Sequence, residues 1–258
     1  MPRLAVNLSM MFNEVPFLDR FDAAAETGFA AVEFLFPYDH APEAIAERLE
    51  RNRLTQALFN LPPGRWDEGE RGLAALPARF DEFKSGLTRA LDYVAATKVS
   101  RVHMMAGNAS RKDTQAEASY KRAIAYAAPI LAERGVDLLL EPINTRNMST
   151  YFLNDFAYTS ALIDSLGLPN VKLQFDVYHR QILHGDVTVS FRALQPIVGH
   201  IQVASVPSRH EPDGEELNFP YLFAEFDRLQ YDGYIGCEYN PRADTVEGLK
   251  WFQSYRRT

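Results

Sequence analysis

Four residues, Glu141, Asp176, Gln202 and Glu238, each close a short apolar run: VDLLLEPIN, VKLQFDVYH, GHIQVAS and YIGCEYNPR. They stand 35, 26 and 36 residues apart, and each interval is about one strand–helix–strand unit. If the runs are neighbouring parallel strands, their ends meet on the rim where a barrel keeps its chemistry. Three carboxylates and an amide oxygen crowded there would repel one another unless a divalent cation lay between them. Glu141 and Glu238 could instead pair with a nearby Arg or Lys, but Asp176 holds the same place on a strand between them, and three acids demand compensation. Oxygen ligands point to Mg²⁺ or Mn²⁺, with Co²⁺ or Zn²⁺ left open.

Other polar residues surround this set. His179 lies three residues after Asp176, on a turn leaving the strand. There it either faces the same cavity, to bind substrate hydroxyls or a carboxylate, or is an ordinary loop histidine. His184 is expected to be exposed. Arg209 and His210 fall in the loop after the seventh strand. An arginine offers a fixed fork for a substrate carboxylate; the alternative is a surface ion pair with Glu211 or Glu215. Asn7, Glu33, Asn60 and His103 sit on the first four strands and suggest a polar floor for a polar ligand. Arg65, Asp67, Glu70 and Arg71 read as a solvated charge cluster rather than a lid.

These residues need a frame. Short apolar runs alternate with amphipathic stretches along the chain. Strands are expected at 3–9, 30–36, 54–60, 101–106, 136–141, 171–176, 199–204 and 234–239. Helices are expected at 16–27, 42–52, 79–97, 114–134, 156–166, 188–196, 219–229 and 245–255. Phe80, Phe83, Leu87, Leu91 and Val94 form a stripe at helical spacing. LLLEPIN is apolar on successive residues, as a strand covered on both faces should be. Gly28 and Gly135 suit helix ends, and Pro42 and Pro220 suit first turns. Eight such alternations in 258 residues match a single-domain (β/α)8 TIM barrel over 1–258. The first strand lacks the glycine-rich turn that a dinucleotide-binding sheet requires. Two connections are long, 61–78 and 205–218, and long loops after strands carry substrate contacts.

Composition excludes other classes. Net charge is −7, so no basic excess exists to neutralise the phosphates of nucleic acid or a membrane surface. No apolar run approaches the ~20 residues of a membrane span, and the first residues do not form a signal peptide. Cys237 is the only cysteine, so no internal disulfide can form, which fits a reducing cytoplasm. Inside its apolar strand, Cys237 reads as a buried small hydrophobe rather than a nucleophile. No phosphate-cradling glycine loop or nucleophile elbow is present.

The segments NLSMMFNEVPFLDRF, AAVEFLFPYDH, PPGRWDEGERGLAALP, EPINTRNM, QFDVYH, GHIQVAS and RHEPDGEELNFPYLF together resemble the hydroxypyruvate isomerases. They also resemble the closely related 2-oxo-tetronate isomerases. Both belong to the xylose-isomerase-like barrel superfamily, and the resemblance runs from about residue 3 to 252. It implies an aldose–ketose isomerase acting on a small sugar acid or keto acid, with a homodimer as the weakly expected assembly. It makes Glu141 and Glu238 the acid/base pair, and Glu141, Asp176, Gln202 and Glu238 the cation ligands. Arg209 is the expected partner of the substrate carboxylate, with His179 assisting and Asn7, Asn60 and His103 as further substrate contacts. Tagatose epimerases carry a histidine where Gln202 stands and an acid where Asn147 stands, so epimerisation of free ketoses is less expected. The leading expectation is conversion of hydroxypyruvate to tartronate semialdehyde, through an enediolate that the cation stabilises. The alternative is the same chemistry on four-carbon 2-oxo-tetronate. A sugar-acid-binding barrel without turnover and an abasic-site endonuclease rank lower.

Overall fold

All eight expected strands form: β1 (Arg3–Asn7), β2 (Ala31–Phe34), β3 (Thr55–Asn60), β4 (Arg101–His103), β5 (Asp137–Leu140), β6 (Val171–Asp176), β7 (Val198–Val203) and β8 (Tyr234–Cys237). In this computed structural model, which describes residues 1–256, each strand pairs in parallel with its sequence neighbours. The set closes through β1 and β8, with Arg3 opposite Tyr234. The chain is thus a single-domain TIM barrel; residues 257–258, counted in the expected domain, lie outside the described residues.

Helices α1 (Arg20–Glu26), α2 (Pro42–Asn52), α3 (Phe80–Thr97), α4 (Thr114–Ala132), α5 (Phe156–Leu166), α6 (Val177–His184), α7 (Val187–Leu194), α8 (Phe219–Arg228) and α9 (Thr245–Gly248) surround the barrel. The α3 stripe buries Phe80, Phe83, Leu87 and Val94, while Leu91 is only partly covered. Pro42 and Pro220 do occupy first turns. The last expected helix is shorter than its pattern: α9 stops at Gly248 and a 3-10 turn covers Trp251–Tyr255.

One element differs in kind. The turn expected after β6 is helix α6. Asp176 is the last residue of β6 and also the α6 N-cap, its Oδ1 accepting from Tyr178 N at 2.6 Å and His179 N at 3.1 Å. A strand-end aspartate that caps the next helix satisfies two orphan amides and carries His179 into the first turn of α6. Periodicity could not show this, because eight residues make barely two helical turns.

Side chains on alternate positions of a strand share a face. Ala5, Ala31 and Ala57 form a small apolar cluster with Tyr234 packed against it. Two residues further along β1 and β2, the same faces present Asn7 and Glu33, which are also directly paired in register. Likewise Gln174 precedes Asp176 on β6 and His200 precedes Gln202 on β7, with Asp176 and Gln202 opposite one another. Small apolar residues therefore fill one layer of the barrel, and polar residues occupy the layers toward the strand ends.

Candidate active site

At the carboxyl ends of β5 and β6, ligand atoms of Glu141, Asp176 and His179 lie within 4.8 Å of one another. All three side chains are buried. The capping role of Asp176 occupies Oδ1, and its Oδ2 lies 3.7 Å from His179 Nε2. Glu141 follows β5 directly. Its Oε1 lies 4.0 Å from His179 Nε2 and has no hydrogen-bond partner among the described residues. Its Oε2 lies 3.6 Å from His103 Nε2, which is also unpartnered. Glu238 follows β8 and lines the same cavity, but it stands outside the tight trio. Its Oε1 takes the Arg209 guanidinium at 3.2 Å. The surface pairings open to Arg209 are not made: Glu211 is held by Arg242 and Glu215 by Ser208.

Burial makes these charges costly. Desolvation, then the nearby Glu238 and Asp176, push the Glu141 carboxyl well above the usual range. Glu238 is pushed up to about 8, mainly by burial, with Arg209 opposing the rise. Burial also drives His103 down to about 3 and His179 down to about 4, so both imidazoles are neutral near pH 7. Unpartnered carboxylate oxygens, mutual repulsion and neutral histidines make a donor set that fits a hard divalent cation.

Beneath this rim is a hydrogen-bonded floor. Glu33 Oε1 accepts from Asn7 Nδ2 at 3.1 Å and from Gln202 Nε2 at 2.8 Å. Glu33 Oε2 lies 2.6 Å from His200 Nε2. Gln202 Oε1 accepts from Gln174 Nε2 at 2.6 Å. These contacts fix the orientation of the Gln202 amide, whose oxygen keeps a second lone pair. Asn7 is less available than expected for substrate: its amide donates to Glu33 and its Oδ1 accepts from Ser9 N. Asn60 lines the cavity and its side chain makes no hydrogen bond among the described residues.

The cavity holds about 200 Å³, below the ~300–1,000 Å³ of drug-sized pockets, so it suits a molecule of a few carbons. Apolar residues, including Met10, Leu58, Trp66, Met105, Ile143 and Met148, line the rest of it. Trp66 comes from the long 61–78 connection. That loop is anchored at Gly72, which bridges to Ala106; at φ +110°, with Met105 O standing where a Cβ would have to go, no side chain fits there. Arg71 lies 3.8 Å over the Trp66 ring, while Glu70 binds Arg65 and Arg79. The charge cluster is therefore the scaffold that presents Trp66. His184, expected to be exposed, is about one-third exposed at the end of α6, 3.7 Å from Asp155.

Sequence reasoning missed Gln174, His200 and Trp66 as site residues. A signal existed for the first two: each lies two positions before a candidate ligand, on the same face of its strand. Asn147, where an epimerase would carry an acid, accepts from the Tyr178 hydroxyl at 3.1 Å.

Comparison with known proteins agrees with this architecture. A family model for the xylose isomerase-like TIM barrel matches residues 21–255. The chain is 53% identical to a 2-oxo-tetronate isomerase of Cupriavidus necator, covering 99% of both chains. It is 39% identical to the hydroxypyruvate isomerase of Escherichia coli K12, over 99% of this chain and 100% of that one. The crystal structure of an AP endonuclease, family 2, from Brucella melitensis superposes with TM-score 0.97 at 48% identity over all of both chains. The protein is an enzyme of the isomerase class, and it belongs to the xylose isomerase-like TIM barrel family.

Proposed function

We propose that this isomerase moves the carbonyl of a four-carbon 2-oxo sugar acid from C2 to C3, with hydroxypyruvate as the second, three-carbon reading. The observation that carries the chemistry is the buried pair Glu141 and Glu238 on one small cavity, both held above the ordinary carboxylate range. The four-carbon length is supported by 53% identity to a 2-oxo-tetronate isomerase against 39% to a hydroxypyruvate isomerase, at equal coverage of this chain. The order expected from the sequence motifs is thereby reversed.

The reaction takes a proton from C3 and returns one to C2, while a proton passes between the two oxygens. It needs one ionised and one protonated carboxyl, and crowded acids ionise unequally. Arg209, 3.2 Å from Glu238, favours the ionised form of that residue, so Glu238 takes the C3 proton. Glu141, with no cation-bearing side chain at that distance, gives the proton to C2. Glu141, Asp176, Gln202 and Glu238 would hold a divalent cation, Mg²⁺ or Mn²⁺, which supplies a Lewis acid to the substrate oxygens. Arg209 reaches the substrate carboxylate from the same side, and His103 and Asn60 bind hydroxyls. The apolar wall with Trp66 excludes water from the carbanionic carbon.

The test is turnover of 2-oxo-tetronate and hydroxypyruvate by chelator-treated protein resupplied with Mg²⁺ or Mn²⁺, alongside Glu141→Gln and Glu238→Gln. General acid–base groups contribute about 10²–10⁴-fold, so each variant should lose at least two orders of magnitude while melting normally. Near-normal activity in both variants overturns the acid/base assignment. A higher kcat/KM for hydroxypyruvate overturns the chain length.

A further inference from the structure

The His179 ring has polar neighbours on both sides, and only the Nε2 side has been described. Its Nδ1 lies 2.6 Å from Asn144 Nδ2, and the Asn144 backbone N–H points at the same nitrogen from 3.4 Å. An asparagine amide can be turned either way, but this one is fixed. Asn144 Oδ1 accepts from Asn147 N at 2.9 Å, so the NH₂ group must face the imidazole. Two N–H groups thus converge on Nδ1, which can only accept. In a neutral imidazole the proton then sits on Nε2. Asn144 is fully buried and His179 nearly so, leaving no water to substitute for these contacts.

We propose that Asn144 holds His179 as a neutral Nε2–H donor, aimed at the substrate oxygen, and so removes it from the cation's ligand set. A histidine that binds a metal ordinarily donates its other ring N–H to a carbonyl or carboxylate, which leaves the metal-facing nitrogen bare. Here the second partner is a donor, and the arrangement is reversed. Nε2–H faces a gap, 3.7 Å from Asp176 Oδ2 and 4.0 Å from Glu141 Oε1. Both are too long for direct hydrogen bonds, and an oxygen between them would receive the proton. The cation is then held by oxygen atoms alone, although His179 lies within the same 4.8 Å cluster. The substrate half of this assignment rests on the isomerase reading; the tautomer half does not.

Imidazole ¹⁵N–¹H correlation spectra of the ¹⁵N-labelled full chain, at neutral pH with and without Mg²⁺, read the proton directly. His179 is assigned by the signal that His179→Gln loses. The expected result is a protonated Nε2 and a bare Nδ1 in both states. A proton on Nδ1, or loss of the Nε2 proton when Mg²⁺ is added, overturns the assignment. Asn144→Asp presents an acceptor to the ring and should move the proton to Nδ1. With the donor gone, kcat should fall by about 10²-fold, with KM changed less than the ~10-fold of a binding loss. Asn144→Ala, which removes the side-chain donor without adding an acceptor, keeps the test available if the aspartate variant fails to fold. Its expected result is a mixture of tautomers and an intermediate kcat. Unchanged tautomer and kcat in a folded variant overturn the role of Asn144. The expected spectrum together with no turnover of either sugar acid would defeat the functional reading and leave the tautomer standing.

Discussion

Gly236 offers a sharp test of the floor beneath the site. It sits in β8, and a Cβ built there lies 2.5 Å from Glu33 Cδ, with both carboxylate oxygens closer still. Glu33 is fully buried and holds hydrogen bonds with Asn7, Gln202 and His200. A methyl at 236 therefore cannot be absorbed by swinging a flexible side chain into solvent. Glu33 must shift within the barrel and give up contacts. A hydrogen bond to a charged group contributes about 1.5–3 kcal/mol, so losing two of the three costs roughly 3–6 kcal/mol. The lower backbone entropy of alanine in the unfolded chain returns ~0.5–1 kcal/mol. At about 2–4 °C per kcal/mol for a chain of this size, Gly236→Ala should melt roughly 5–20 °C lower, read by circular dichroism. The same substitution on a Glu33→Ala background should cost far less, because the carboxylate is no longer in the way. A Gly236→Ala protein melting within about 2 °C of the parent, or an equal penalty on both backgrounds, would refute the account of the floor.

Other consequences concern charge. In the cation-free protein Glu238 is pushed up to about 8 and Glu141 well above the ordinary carboxylate range, so a bound cation must displace a proton from this pair. Mn²⁺ affinity should rise with pH until about 8, and titration calorimetry in buffers of different ionisation enthalpy should detect released protons; no release would contradict the burial argument. The folded state binds more protons at these groups than the unfolded chain does, so their contribution to stability falls as pH rises, for Glu238 from about 4.5 to 8. Chelated protein should accordingly melt higher at pH 5.5 than at pH 8, a difference that saturating Mg²⁺ reduces, with melting curves as the readout. Arg209→Lys replaces a planar fork with a point charge; KM for the sugar acid should rise by about tenfold or more, and an unchanged KM would place the substrate carboxylate elsewhere.

The barrel was legible because its signals are redundant. Eight apolar runs at regular spacing leave few topologies, and errors at strand ends, up to the three residues by which the expected 101–106 overruns β4 (Arg101–His103), do not alter the order. Glu141, Asp176 and Glu238 were legible for a related reason: an acid closing an apolar strand is out of place unless something compensates it. Helix α6 was not legible, since one residue serves as both strand end and helix cap. Nor was Asn144, whose role depends on the direction of one amide and on a backbone N–H three residues away. Arg209 was found by type, yet its partner was not. The pairing with Glu238 depends on a loop in which Arg209 adopts φ +60°, a left-handed conformation that arginine seldom takes. Trp66 was hidden among charged neighbours, and only the folded loop separates the residue that meets the cavity from those that hold it there.

The split duty of Asp176, one oxygen on the amides of α6 and the other beside His179 Nε2 in the candidate ligand cluster, has an evolutionary corollary. Asparagine and serine also cap helices well, so either residue at 176 would preserve the architecture while discarding a negative charge. Asparagine is a single nucleotide change from aspartate. A descendant lacking catalysis yet still folded, and still shaped to admit a sugar acid, is therefore a short mutational step away. Gene duplicates in this lineage should be inspected at this position before they are assumed to turn over substrate.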